Sequence, residues 1–87
     1  MPSVAFTHHL RRIAPTTPVA VPGETVRAAL VAVFETYPEV ASYVLDEQGG
    51  LRKHVAIFID GELCRNPLAQ TVSPDASIYV MQALSGG

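Results

Sequence analysis

Three histidines and one cysteine are the residues of this chain best suited to bind a metal or attack an electrophile. His8 and His9 are adjacent, His54 lies far along the chain, and Cys64 has no second cysteine to pair with. Structural and catalytic metal sites draw on Cys-x-x-Cys pairs or on histidines at helical spacing, and neither pattern occurs. No metal site is expected, and the histidines read as loop residues. Nucleophilic catalysis by Cys64 needs a base and an orienting group nearby, and the sequence names neither. A small buried or half-buried thiol is the simpler reading. The carboxylates Asp46-Glu47 and Asp60-Glu62 sit among turn residues, where they read as turn chemistry and surface charge. Gly49-Gly50 invites a phosphate-loop reading, but no Lys-Ser/Thr pair or helix start follows it.

The remaining candidate is the end of the chain, Ser85-Gly86-Gly87. Chain ends tolerate glycine without any function, so the pair alone says little. Its context says more, because it follows the last strand candidate with no charged or low-complexity spacer. Leu84 to Gly87 can reach at most about 14 Å, which suits a short probe on a rigid body. Glycine has no Cβ, so such a probe can thread a narrow channel and adopt any backbone angle found there. The same property leaves the Gly87 carboxylate open to a nucleophile. The expected organisation is one domain over residues 1–84 and a flexible tail over residues 85–87.

The elements that would hold this tail are legible in outline. Val4-Ala5-Phe6-Thr7 is a short strand candidate, and His8 to Pro18 a loop. Val19-Ala20-Val21 is a second strand stopped by Pro22-Gly23. Thr25 occupies an N-cap position, with Glu24 adding negative charge at the positive end of the helix dipole. Val26, Ala29, Leu30, Val33, Phe34 and Tyr37 then recur at helical spacing, which predicts one apolar stripe. Pro38 ends that helix by pushing Tyr37 out of helical angles. Val40 to Leu45 reads as one irregular helical turn, and Asp46 to Gly50 as a loop. Val55 to Ile59 is the strongest strand candidate. Asp60-Gly61 is a tight turn, and Glu62-Leu63-Cys64 a return strand. Ser77 to Leu84 is the final strand, with Ile78 and Val80 facing one way and Tyr79 and Met81 the other.

A strand run enclosing one helix predicts an α+β fold, a mixed sheet of four or five strands with one main helix on one face. The first and last strands can then lie side by side in the middle. Length and composition agree with this. The 87 residues, 48% hydrophobic and 16% charged, suffice for one modest core. They leave little room for a deep catalytic pocket, so an enzyme is not expected. A net charge of −2 argues against a nucleic-acid partner. Arg11-Arg12 and Arg52-Lys53-His54 are the local basic groupings. They are either solvated loop charge or a docking site for an acidic partner surface. No apolar run approaches a membrane span, and the start of the chain does not resemble a secretory signal. A soluble cytoplasmic protein is the expectation.

With helix, strands and tail laid out, the chain resembles the MoaD/ThiS-like sulfur-carrier family, which shares the ubiquitin-like β-grasp fold. That family includes the small subunit of molybdopterin synthase and the thiamine sulfur carrier. The resemblance rests on Pro22-Gly23-Glu24-Thr25-Val26 before the helix, Tyr37-Pro38 at its end, and Leu45-Asp46-Glu47 with Gly50-Leu51-Arg52 beyond it. Val55 to Glu62 and Ser85-Gly86-Gly87 complete the set. Gln82, where relatives often carry proline, and the loop from His8 to Ile13 depart from the pattern.

The resemblance implies that a ubiquitin-activating-type adenylyltransferase uses Mg-ATP to adenylate the Gly87 carboxylate. It implies a thiocarboxylate as the product, and a downstream sulfur-accepting biosynthetic enzyme as its recipient. ATP and magnesium belong to the partner, and no cofactor is expected on this chain. Gly86 and Gly87 would be the reacting end. Phe58, Tyr79 and Met81 would form an apolar docking patch on the open sheet face, with Leu84 and Ser85 continuing it towards the tail. A protein modifier joined through Gly87 to lysines, and a non-covalent interaction domain, are the alternatives.

Overall fold

The computed structural model describes residues 1–82. Five strands and two helices follow in the order β1 (Ser3–Phe6), β2 (Val19–Ala20), α1 (Val26–Thr36), α2 (Pro38–Val44), β3 (Val55–Ile59), β4 (Glu62–Leu63) and β5 (Ser77–Gln82). Short 3-10 turns lie at His8–Leu10 and Pro67–Ala69. The sheet order is β2-β1-β5-β3-β4. β1 and β5 pair in parallel at the centre, and the other neighbours are antiparallel. This is the mixed sheet expected from the sequence, with the first and last strands side by side.

One face of the sheet is covered. Val4 and Phe6 of β1, Ile57 of β3, and Ile78 and Val80 of β5 are buried beneath α1. From α1 the buried members of the stripe are Val26, Ala29, Leu30 and Val33. Phe34 and Tyr37, at the stripe's end, are half-buried and pack on the margin of this core. Each large side chain buried in this way is worth roughly 1.5–3 kcal/mol before conformational entropy is charged.

α1 starts where its residues dictate. Thr25 is extended, and its Oγ1 accepts the Ala28 N–H at 3.1 Å. The turn is also strapped to a distant segment. The Val26 N–H donates to the Gln70 carbonyl at 3.0 Å, and the Val72 N–H donates to the Glu24 carbonyl at 3.0 Å. Tyr37 leaves helical space at φ −124°, ψ 68°, as the following proline requires.

Beyond that point the structure differs from expectation. Pro38 does not only stop α1; it is also the first residue of α2, a seven-residue helix rather than one irregular turn. A proline at the first helical position loses nothing, because the N–H it lacks would be unpaired there, and its φ is already helical. Val40 and Val44, one turn apart, hold α2 against the core.

Asp46 organises the next loop. Its Oδ1 accepts the N–H groups of Gln48 and Gly50, both at 2.9 Å. Arg27 reaches over from α1 and donates to the Gly49 carbonyl at 2.8 Å. Arg52 closes the far side, donating from Nε to the Ser42 carbonyl at 2.7 Å.

Two expectations follow. Gly23 has φ +149°, and a Cβ there would lie 2.7 Å from the Ala29 backbone nitrogen. At Gly61 φ is +84°, but nothing lies within 4 Å of a Cβ. In urea melts, Gly23→Ala should cost at least about 2 kcal/mol through strain and clash. Gly61→Ala should cost only about 1 kcal/mol, the left-handed penalty alone. Equal losses at the two sites would show that the close approach of Gly23 to α1 does not matter.

The Gly50 and Gln48 N–H groups hold the Asp46 carboxyl below its ordinary value of 3.8. A lowered folded-state pKa gives stability that is complete above the ordinary pKa and is lost as pH falls below it. The stability gap between wild type and Asp46→Asn should therefore narrow between about pH 5 and about pH 2. Melts that keep the gap constant over that range would exclude a role for the charge.

Candidate functional site

β5 is the element on which the site depends. Ile78 and Val80 are almost fully buried, whereas Tyr79 and Met81 each keep 39% of their surface exposed on the other side. Strand register then decides which side chains join them. Tyr79 lies opposite Phe58 of β3 and beside Ala5 of β1. Phe58 lies opposite Leu63 of β4. Leu63, Phe58, Tyr79 and Ala5 thus form one continuous row across four strands. Met81 and its partner Ala56 form a shorter row next to it. No Asp, Glu, Lys or Arg occupies these six positions. The face holds a shallow apolar depression of about 420 Å³, lined by Ala5, Pro18, Phe58, Tyr79 and Met81.

The register of this face is pinned at the β3–β4 hairpin. Asp60 and Gly61 both have positive φ, 52° and 84°. That pairing of angles is the hairpin turn whose twist matches the flanking strands. Asp60 also grips the start of β5. Its N–H donates to the Ser77 carbonyl at 2.8 Å, and its Oδ1 accepts the Ser77 N–H at 2.9 Å. A one-residue slip of β5 would exchange Tyr79 and Met81 with the core positions. Asp60 read from the sequence as turn chemistry; its hold on Ser77 depends on a contact between residues far apart in the chain.

The structure thus brings together Phe58, Tyr79 and Met81 on one face, as expected. It adds Leu63, which is 62% exposed, and Ala5. Alternation within each short segment hinted at both, but only the register assigns them to this row. Leu84, Ser85, Gly86 and Gly87 lie outside the described residues. β5 leads to them, and its last described residue, Gln82, is paired with Val55.

The other sequence candidates do not assemble into a centre. His8, His9 and His54 are exposed. Among the described residues no group of three His, Cys, Asp or Glu side chains is placed to hold a metal ion. Cys64 is half-buried, and its Sγ lies 3.9 Å from the Gln70 side-chain oxygen. That oxygen belongs to an amide, so Gln70 supplies no base. Asp46 and Asp60 are each committed to backbone N–H groups. Among the described residues no helix is long and apolar enough to cross a membrane.

No family model and no curated protein matches the sequence. Solved structures do match. The small archaeal modifier protein SAMP1 of Haloferax volcanii is 25% identical, with TM-score 0.80, covering 99% of this chain and 98% of its own. CysO of Amycolatopsis orientalis, in its complex with BexX, is 19% identical with TM-score 0.88, and each chain is covered in full. CysO of Mycobacterium tuberculosis is 20% identical with TM-score 0.83, covering 97% of this chain and 100% of its own. The fold is the ubiquitin-like β-grasp. These neighbours are consistent with the MoaD/ThiS-like resemblance read from the sequence.

Adjacent residues of β5 should respond unequally to truncation. Tyr79→Ser removes at most a cross-strand pair and should cost no more than about 1 kcal/mol. Ile78→Ala leaves a cavity in the core and should cost about 2–5 kcal/mol. Equal losses in denaturant melts would mean that Tyr79 is kept for stability and not for an external contact.

Proposed function

We propose that the chain is a sulfur carrier whose Gly87 carboxylate is activated by a ubiquitin-activating-type adenylyltransferase. The observation that carries the reading is the continuity of β5. One strand supplies Tyr79 and Met81 to an uncharged apolar face, and five residues after its end the sequence closes on Gly86-Gly87. A partner that covers that face lies close to the Gln82 end of β5. The likeness to CysO in a complex with BexX supports the use of this fold in protein–protein association.

The chemistry is short. A carboxylate is a poor electrophile, and the mixed anhydride with AMP is a good one. A Gly87 carboxylate oxygen attacks the α-phosphorus of ATP, and pyrophosphate leaves. Hydrosulfide then adds to the carbonyl carbon and AMP departs, leaving a thiocarboxylate and a proton. The thiocarboxylate is the nucleophile that a downstream biosynthetic enzyme consumes. ATP and magnesium act in the partner, and this chain supplies the docking face and an unhindered carbonyl.

Intact-mass analysis of protein from its native cell tests this. A fraction ending at Gly87 should be about 16 Da heavier, sulfur having replaced oxygen. Its absence under sulfur demand, or a natural chain that continues past Gly87 untrimmed, overturns the reading. Phe58→Asp should stay folded, because Phe58 lies on the open face, yet lose most of its adenylation. A folded Phe58→Asp variant adenylated at the wild-type rate would remove the apolar face from the interaction.

A second reading has its own support. The structural neighbour SAMP1 is named as a modifier protein, which favours conjugation through Gly87 to lysines of other proteins. Isopeptide-linked Gly-Gly remnants on target lysines would identify that role. Lys53 is the single lysine, so extended self-linked chains are not expected.

A further inference from the structure

The fold gathers the chain's basic residues at one end. The Thr7 N–H donates to the Val80 carbonyl at 3.0 Å, so the segment His8-His9-Leu10-Arg11-Arg12 begins beside the end of β5. On the other side Val55 pairs with Gln82, so Arg52-Lys53-His54 leads into the same end. These two segments hold four of the six Lys and Arg residues and all three histidines, and neither contains an acid. The opposite end of β5 is acidic. Asp60 bonds to Ser77 at the start of the strand, and Asp75 lies two residues before it. Glu35 and Glu39 belong to the helical layer, and Asp46 and Glu47, in the loop after α2, line a shallow depression together with Arg52 and offset its charge.

The cations at this end are available. His8, His9, Arg11, Arg12, Lys53 and His54 are exposed. Arg11 makes only a long contact, 3.4 Å, to the His8 carbonyl. Arg52 is half-buried, engaged with Ser42 and beside Asp46, so the free cations at this end are Arg11, Arg12 and Lys53.

We propose that these two segments form a basic docking collar for an acidic rim on the partner that receives the chain's last residues. The proposal rests on the carrier reading above and deepens it by naming the chemistry of that partner's surface. The argument is one of orientation. With a net charge of −2, the chain as a whole repels an acidic surface. The two basic segments are where that repulsion is weakest, and they flank the last described residues of β5. An acidic rim is therefore steered towards the Gln82 end of β5. A nucleic acid fits the same face less well, because three strongly basic exposed side chains neutralise few phosphates against an acidic body.

ATP–pyrophosphate exchange with the ubiquitin-activating-type enzyme of the same organism tests the collar. In the full chain, the combined variant Arg11→Glu, Arg12→Glu, Lys53→Glu should raise the KM for the carrier by roughly tenfold or more with kcat unchanged. The wild-type KM should rise as salt increases from about 50 to about 300 mM, and the variant should lose that dependence. Asp75→Lys at the far end should leave KM within about twofold.

A wild-type KM indifferent to salt, or a variant with wild-type KM, overturns the collar while leaving the carrier reading intact. A variant altered only in kcat also overturns it, since docking would then be unaffected. Absence of exchange with the wild-type chain counts against the carrier reading and removes the collar with it. Binding of a labelled single-stranded oligonucleotide below about 1 μM at physiological salt, lost in the triple variant, would reassign the surface to nucleic acid.

Discussion

Parallel strands cannot be joined by a tight turn, and in this chain the crossover from β1 to β5 takes up most of the sequence. Both helices, the β3–β4 hairpin and the loops lie between Phe6 and Ser77. Their combined path must bring Ser77 to Ser3 and Val80 to Phe6. Once that pairing is made, β5 is the middle strand of five, with a neighbour on each side along its length. Its alternation then has two fates. Ile78 and Val80 complete the core, and Tyr79 and Met81 stand on the free face.

A single helical layer covers one face of the sheet only. α1 and α2 supply Leu30, Val33, Val40 and Val44 to the core side, and among the described residues no element packs on the other side. A sheet with one solvated face normally carries polar residues there, so that its strands read as alternating hydrophobic and polar. Here the free face is apolar at Leu63, Phe58, Tyr79 and Met81. Such a patch adds little to folding and raises the risk of association. An exterior contact gives the patch a reason to persist, and the absence of Asp, Glu, Lys and Arg from these positions makes burial against a partner inexpensive in desolvation.

How much of this was legible in the sequence depended on how local each feature is. α1 was legible to the residue at its start, because Thr25 and the stripe from Val26 to Val33 lie within three turns. β3 and β5 were legible because Val55 to Ile59 and Ser77 to Met81 are continuous runs rich in strand-favouring residues. α2 was not, because Pro38 has the same meaning to a one-dimensional reading whether it stops one helix or starts the next. Its second role needs Val40 and Val44 to find the core, which is a tertiary fact. The apolar face was legible in three of its residues. Leu63 and Ala5 were missed because membership depends on register, and register is set by Asp60 gripping Ser77 across 17 positions. The reading of Gly86 and Gly87 as the reacting end rests on the sequence alone, because Leu84 to Gly87 lie beyond the described residues.

Apolar contact and charge do different work at this surface. The row from Leu63 to Ala5 is flat and spans four strands, so it offers area but little directional preference of its own. Burying it could place the end of β5 in several azimuthal orientations. The charges break that degeneracy. Acid at Asp60 and Asp75 and base at Arg12 and Lys53 lie at opposite ends of one strand, so a charged partner surface meets a gradient along β5. Such a gradient acts over about 8–10 Å in physiological salt, further than any apolar contact. It can therefore align the strand before the faces meet, after which short-range packing holds the alignment.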